Sequence, residues 1–305
     1  MQKVLLFGST GFIGSQFKAS LLKKGVEVAD PRIEITDLSA VRKAIAAHEP
    51  DLVLNCAGIT GKPNVDWCET HVGKTLAINV AGALNVAVAS SEKKIYMAQM
   101  ATGCVYSGDN GGKGFSEQDE PNYFGSVYSR SKWLSERLLG EFPNILQLRI
   151  RIPIMGTPNP KNLIDKLLRY PKMINVANSC SVIEDFIPAS IRLMEMGATG
   201  IFNMTNVGAM DHRSIMELYR EIVDPSFKVN VMPKTEQDEL CKRRSNCVLN
   251  TDKREALGVR MPSLELSLRK ALIEYKSHLN EGPGAKISMK GVKVASSKKD
   301  LSPAC

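Results

Sequence analysis

Val4-Leu5-Leu6-Phe7 runs directly into Gly8-Ser9-Thr10-Gly11-Phe12-Ile13-Gly14 near the start of the 305-residue chain. Three glycines at this spacing, after an apolar run, each have a separate use. The first permits a tight turn, the second lets backbone approach a ligand, and the third lets the next helix pack on the strand. A helix that opens here aims unpaired N–H groups and its positive end at the turn. The spacing predicts a helix from about Phe12 to Lys24, stopped by Gly25 as a C-cap glycine. Glycines of this kind also occur in ordinary turns. Placed strand–turn–helix, they predict a pyrophosphate cradle, with Gly8, Thr10, Gly11, Phe12, Ile13 and Gly14 as dinucleotide-binding residues.

Outward from that turn, strand-like and helix-like segments alternate, the pattern of βα units on a parallel sheet. Strands are expected at Val26–Ala29, Asp51–Asn55, Lys94–Ala101 and Leu146–Ile150. Helices are expected at Ser39–His48 (capped by Ser39), Thr70–Ser91 and Ser126–Glu141. After Pro153 the elements shorten: helices at Leu163–Arg169, Pro188–Met196, His212–Val223 and Leu264–His278, and a strand at Ile201–Met204. The expected fold is α/β, a Rossmann-type doubly wound parallel sheet with a smaller C-terminal substrate lobe. Residues 1–152 form the dinucleotide-binding domain, 153–280 the partly interleaved lobe, and 281–305 a basic tail with the composition of disorder.

Composition narrows the class. No apolar stretch approaches about 20 residues, so no membrane-spanning helix is expected. The N-terminus leads straight into the first strand, which argues against a leader peptide. Seven cysteines at irregular spacing contain no C-x-x-C pair, so neither a zinc ribbon nor a disulfide framework is expected. A reducing, cytoplasmic setting follows. Net charge is +8, but five lysines and two acids after residue 280 supply +3 of it. The remainder suits phosphorylated ligands rather than nucleic acid.

Tyr128 and Lys132 are four residues apart on a predicted helix and share one face. An ammonium stabilises phenolate and brings a phenol, ordinarily near pKa ~10, toward working pH. Such a pair also arises on any amphipathic surface helix. Thr102, at the carboxyl end of a strand, adds a hydroxyl for the carbonyl that Tyr128 would protonate.

Gly8-x-x-Gly11-x-x-Gly14, Asn55-Cys56-Ala57-Gly58, Thr102 and Tyr128-x-x-x-Lys132 together resemble the extended short-chain dehydrogenase/reductase superfamily. Longer strings narrow the resemblance. They include Ala57-Gly58-Ile59-Thr60-Gly61-Lys62-Pro63-Asn64-Val65-Asp66-Trp67-Cys68-Glu69, Ala101-Thr102-Gly103-Cys104 and Pro121-Asn122-Tyr123-Phe124-Gly125. These, with Leu148–Ile154 and Asn203-Met204-Thr205-Asn206, look like the nucleotide-rhamnose synthase/epimerase-reductase group, over about residues 1–279. Its simpler relatives are the dTDP-4-dehydrorhamnose reductases. The resemblance implies Tyr128 as proton donor, Lys132 as its tuner and contact to the nicotinamide ribose, and Thr102 as orienter of the carbonyl. Asn55, Ala57 and Gly58 belong to the cofactor loop.

The implied reaction inverts C3 and C5 of a nucleotide-linked 4-keto-6-deoxy-glucose and then reduces C4. The ketone acidifies both carbons, so inversion needs a base on one face and an acid on the other. Cys104, two residues past Thr102, would share its side of an extended strand. A nearby cation would make its thiol a competent base. Lys166 matches the family position of its partner. Read from the residues alone, the two are an inert buried cysteine and a solvated lysine.

Cofactor choice depends on Asp30-Pro31-Arg32 after the second strand. Arg32 suits the 2′-phosphate of NADPH, whereas an acid there suits NADH. NADPH is expected, with NADH the alternative. Asp37 is a candidate adenine contact or a helix-entry acid. Substrate contacts are expected from Thr60, Asn64, Trp67, Cys104, Arg151, Asn203, Arg244 and Asn246. Arginine suits a diphosphate, although Arg151 is equally an ion-pair residue and Trp67 equally core. No histidine has metal-ligand spacing. The expected function is therefore an NADPH-dependent 3,5-epimerase/4-reductase acting on a UDP- or dTDP-sugar. Its alternatives are a reductase without epimerase activity and a non-catalytic NADP-binding protein like the regulatory subunit of methionine adenosyltransferase. A homodimer is the assembly to test.

Overall fold

In the computed structural model, which describes residues 1–62 and 64–280, the opening apolar run is β1 (Lys3–Phe7). Its side chains alternate between two separate cores. Val4 and Leu6 pack with Phe17, Leu21 and Phe186, while Leu5 and Phe7 pack with Val41, Ile45 and Val86. A parallel strand covered by helices on both faces has no solvent side, which is why the run carries no polar residue.

The first half continues with α1 (Phe12–Lys23), β2 (Glu27–Ala29), α2 (Leu38–His48), β3 (Leu52–Asn55), α3 (Trp67–Thr70) and α4 (Val72–Leu76). A π-helical turn (Ala77–Gly82) leads into α5 (Ala83–Glu92), then β4 (Tyr96–Thr102), α6 (Val127–Leu139) and β5 (Ile145–Ile150). The remainder is β6 (Pro153–Ile154), α7 (Leu163–Leu167), β7 (Ser181–Val182), α8 (Ile183–Glu195), β8 (Gly200–Asn203), α9 (His212–Ile222), α10 (Lys234–Arg243), α11 (Asp252–Ala256) and α12 (Leu264–Asn280). Six parallel strands form one sheet in the order β2-β1-β3-β4-β5-β8. β8, from the C-terminal half, pairs with β5 from Leu146↔Gly200 to Arg149↔Asn203. Strand order reverses between β1 and β3, which opens a crevice beyond their carboxyl ends. A third core, including Leu163, Leu167, Met216, Leu268 and Leu272, joins α7, α9 and α12.

Gly25 follows α1 with φ +77°, and Val26 N–H reaches back to the Leu21 carbonyl at 3.0 Å. This six-to-one bond closes the helix. Three local expectations are corrected. The cap of α2 is Asp37, whose carboxylate accepts the Ala40 N–H at 3.0 Å, not Ser39. α8 starts at Ile183 and runs through Pro188, because burial of Ile183, Phe186 and Ile187 outweighs the one i→i−4 bond that the proline forgoes. α10 was not foreseen, since only Gln237 and Leu240 of its ten residues are buried and apolar periodicity is absent.

Val72–Glu92 is long and apolar enough to cross a membrane by length and composition, contrary to the expectation that no stretch approaches that length. Its Thr75, Asn79, Gly82, Ala83, Val86 and Ala87 are nonetheless buried, and α5 packs on α2 and α6 beside the sheet. Among the described residues the six cysteines form no disulfide, and no cluster of metal-ligating side chains occurs. The expected tail from residue 281 lies outside the described residues.

Candidate active site

The glycine turn lies at the crevice. Gly8 holds φ +78°, and a Cβ on it would stand 2.5 Å from the Ala57 amide nitrogen. The β1 and β3 loops therefore touch through bare backbone. A Cβ on Gly14 would collide with the Gly8 carbonyl. Gly11 caps α1 without any side-chain hydrogen bond, and no acidic residue occupies the first turn. Open N–H groups, a positive helix end and a backbone-lined hollow fit a dinucleotide pyrophosphate. Thr10 and Gly58 are exposed, and Gly11, Phe12, Ile13 and Ala57 are partly so.

Asp30, just past β2, accepts hydrogen bonds at 2.8 Å from Ser9 Oγ and from Lys18 Nζ. The Lys18 hydrogen bond, more than any other interaction, holds its carboxyl below the usual range. Arg32 is exposed two residues on. Asp37 caps α2 through one carboxylate oxygen and is exposed, so the helix-entry role is observed. Asn55 is fully buried, donating to Gln99 Oε1 at 2.8 Å and accepting the Ala57 N–H at 3.0 Å. Its side chain shapes the cofactor loop.

β4 delivers the next groups. Thr102 is its last residue, and Thr102 Oγ1 accepts the Cys104 N–H at 3.1 Å. The strand does not continue to Cys104, so the expected alternation is not what orients it; a turn after Thr102 is. The Cys104 carbonyl accepts Ser129 Oγ at 2.7 Å from α6, whose cap, Ser126, accepts the Ser129 N–H. The Glu69 carboxylate accepts Val127 N–H at 2.7 Å, at the positive end of the same helix. Cys104, Tyr128, Ser126, Ser129, Tyr123, Val65, Arg243, Arg244 and Ser245 line one cleft.

Lys132, one turn beyond Tyr128, is buried and donates to the Met100 carbonyl at 2.6 Å. Burial pushes its ammonium down to about 8, against the favourable pull of Glu136 and Cys56. The same enclosure pushes the Cys56 thiol up. Lys166 stands partly buried on α7 and is not among the residues lining the cleft.

Arg151 is buried, and its guanidinium donates to Cys104 Sγ at 2.8 Å, to Asn178 Oδ1 at 2.6 Å and to the Ser245 carbonyl at 2.6 Å. Arg244, on the cleft lining, pairs with Asp66 at 2.5 Å. Asn64 accepts the Asp66 N–H, and exposed Thr60 lies on the same loop. Trp67 is half-buried and stacks on His71 at 3.8 Å between ring centroids. Asn203 and Asn246 are buried in hydrogen bonds within the protein. Asn203 donates to the Phe115 and Asn250 carbonyls from a fully buried position. Asn246 donates to the Arg244 carbonyl and accepts from Asn178.

Sequence reasoning missed Asn79 in the π-turn, which accepts Ile59 N–H at 2.8 Å and donates to Ser131 on α6 at 3.1 Å. A lone amide within Ala77-Ile78-Asn79-Val80-Ala81 was the available signal. It also missed Lys18 and Asn178, whose partners are remote in sequence.

A family model described as the RmlD substrate-binding domain matches residues 1–277. The bifunctional dTDP-4-dehydrorhamnose 3,5-epimerase/dTDP-4-dehydrorhamnose reductase of Arabidopsis thaliana is 37% identical over 278 residues, 89% of this chain and 91% of that protein. A trifunctional UDP-glucose 4,6-dehydratase/UDP-4-keto-6-deoxy-D-glucose 3,5-epimerase/UDP-4-keto-L-rhamnose-reductase of the same plant is 38% identical over 280 residues. The chain spans 41% of that protein's length. The crystal structure of a UDP-rhamnose synthase from Acanthamoeba polyphaga mimivirus superposes with a TM-score of 0.85 at 33% identity, covering 89% of this chain and 99% of that one.

Proposed function

The chain belongs to the RmlD substrate-binding-domain family, among the extended short-chain dehydrogenase/reductases, and on that premise we propose that it is an NADPH-dependent 3,5-epimerase/4-reductase. Its substrate would be a UDP- or dTDP-linked 4-keto-6-deoxy-glucose and its product the nucleotide-linked L-rhamnose. The observation that carries the epimerase half is the shared cleft of Cys104 and Tyr128. A reductase alone needs only the tyrosine there.

The glycine cradle would hold the pyrophosphate, and Arg32 would meet the 2′-phosphate. When bound, the cofactor supplies the hydride that reduces C4. Thr102 Oγ already accepts the Cys104 N–H, so its own O–H is left to donate to the C4 carbonyl oxygen. That polarisation acidifies C3 and C5. Cys104, as thiolate, removes a proton from each in turn, and Lys166 delivers a proton to each from the opposite face, both groups exchanging with solvent between the two events. Tyr128 then protonates the C4 oxygen as hydride arrives, with the Lys132 ammonium one turn away favouring the tyrosinate left behind. Arg244 would bind the diphosphate, exchanging Asp66 for phosphate oxygens.

Incubation with the keto-sugar in deuterated water without NADPH should label C3 and C5, and Cys104→Ala should abolish the label. Tyr128→Phe should still bind NADPH while reduction falls on the order of 10²–10⁴-fold. Undiminished labelling in Cys104→Ala would remove Cys104 as the acid/base residue, and no labelling in wild type would remove the epimerase reading. NADPH oxidation with no dependence on keto-sugar would remove the reductase.

A further inference from the structure

We propose that Arg151 is the positioning residue that holds Cys104 as a thiolate, and so sets the pH range in which C3 and C5 are inverted. The inference deepens the epimerase reading and rests on it for the reaction, though not for the state of the sulfur. Both partners are fixed from outside the pair. Thr102 Oγ1 and Ser129 Oγ hold the Cys104 backbone from β4 and α6. The guanidinium is held against Asn178 Oδ1 and the Ser245 carbonyl. Asn178 is itself braced, donating to the Val176 carbonyl and to Asn246 Oδ1 and accepting the Cys247 N–H. With those contacts the Nη1–Sγ separation is 2.8 Å.

Guanidinium is a donor without acceptor capacity and stays charged at every working pH. Against a neutral thiol it finds a weak acceptor; against a thiolate it finds an ion partner in a site sheltered from water. The other charged or titratable groups facing the sulfur are Arg243 and Arg244 at the end of α10, Tyr123 and Tyr128, and the Cys247 thiol. Among the described residues lining the cleft none is a carboxylate, and Asp66 lies against Arg244. The nearby carboxylates are engaged elsewhere, Asp66 by Arg244 and Glu69 by the Val127 N–H, whereas the Arg151 guanidinium touches the sulfur directly. In the reaction, the thiolate electron pair takes the proton from C3 or C5. The C–H electrons move into the enolate, and the Lys166 ammonium delivers a proton to the opposite face. The thiol then returns its proton to solvent and the lysine regains one, so nothing is consumed.

The test measures deuterium entry at C3 and C5 of the keto-sugar from pH 5.5 to 9.5 in the full chain, without NADPH. Wild type is compared with Arg151→Met and Arg151→Lys, and NADPH binding reports folding. Loss of the guanidinium should raise the midpoint of the exchange profile by roughly 1–2 pH units, with Arg151→Lys restoring much of the shift. Folded variants with an unmoved midpoint overturn the proposal. In parallel, the pH profile of Cys104 alkylation by iodoacetamide is followed by peptide mass spectrometry. If wild type shows no exchange while the alkylation midpoint still rises in Arg151→Met, the epimerase reading fails and the Arg151 assignment stands. Should neither substitution fold, Asn178→Ser and the wild-type alkylation profile decide. Half-maximal reaction at or above about pH 8.5, the ordinary thiol value, overturns the proposal.

Discussion

Asp30 occupies the position after β2 where an acid would grip a ribose hydroxyl, yet its carboxylate already accepts from Lys18 and Ser9. An engaged carboxylate repels a 2′-phosphate less and leaves Arg32 as the dominant charge at that end of the crevice. Lys18→Met should free Asp30 and lower the NADPH-to-NADH ratio of kcat/KM by about tenfold, one step of ~1.4 kcal/mol. An unchanged ratio would mean that the Lys18–Asp30 pair has no part in coenzyme choice. Arg32 and Asp30 were both legible in the sequence as rival signs. Which of them is available was not, because the deciding side chain belongs to α1.

At the scale of elements, the β1–α1 turn depends on backbone groups that must approach more closely than any side chain allows. Gly14→Ala would press a methyl onto the Gly8 carbonyl, where only backbone movement relieves it. NADPH affinity in a fluorescence titration should fall at least tenfold, with stability down by about 1–3 kcal/mol. Gly25→Ala supplies the contrast. Its φ of +77° makes it strained, costing about 1 kcal/mol, but nothing lies within 4 Å of an added methyl. Its melting temperature should drop while NADPH affinity holds. If both substitutions lowered affinity alike, the cradle would be responding to α1 stability and not to contact at the turn. Such elements are legible because their determinants are adjacent in the chain. The start of α8 was not, because burial of Ile183, Phe186 and Ile187 by distant residues decided it, and α10 was not, because a mostly exposed helix carries no apolar periodicity.

Across the whole molecule, the C-terminal half is joined to the site through buried charge. His212 opens α9, is almost fully buried, and neither ring nitrogen has a hydrogen-bond partner. Burial, and secondarily Arg151, push its imidazolium down to about 4 from an ordinary 6.5. The unfolded chain therefore binds a proton that the folded chain refuses between those values. Stability should be full above about pH 6.5 and fall as pH drops toward 4, by ~3 kcal/mol from this group. Urea unfolding at pH 7 and 4.5 should show a smaller difference in His212→Leu than in wild type; equal differences would rule out His212 as the source. The sequence by itself determined the strand–turn–helix cradle, the Tyr128/Lys132 pairing on one face and the alternation that makes a parallel sheet, because each depends on spacings of a few residues. Tertiary structure alone decided that Cys104 meets an arginine 47 positions away, and that this arginine meets an asparagine 27 and a carbonyl 94 positions away. No local propensity encodes those distances; they exist only once two cores have closed around the carboxyl ends of the sheet.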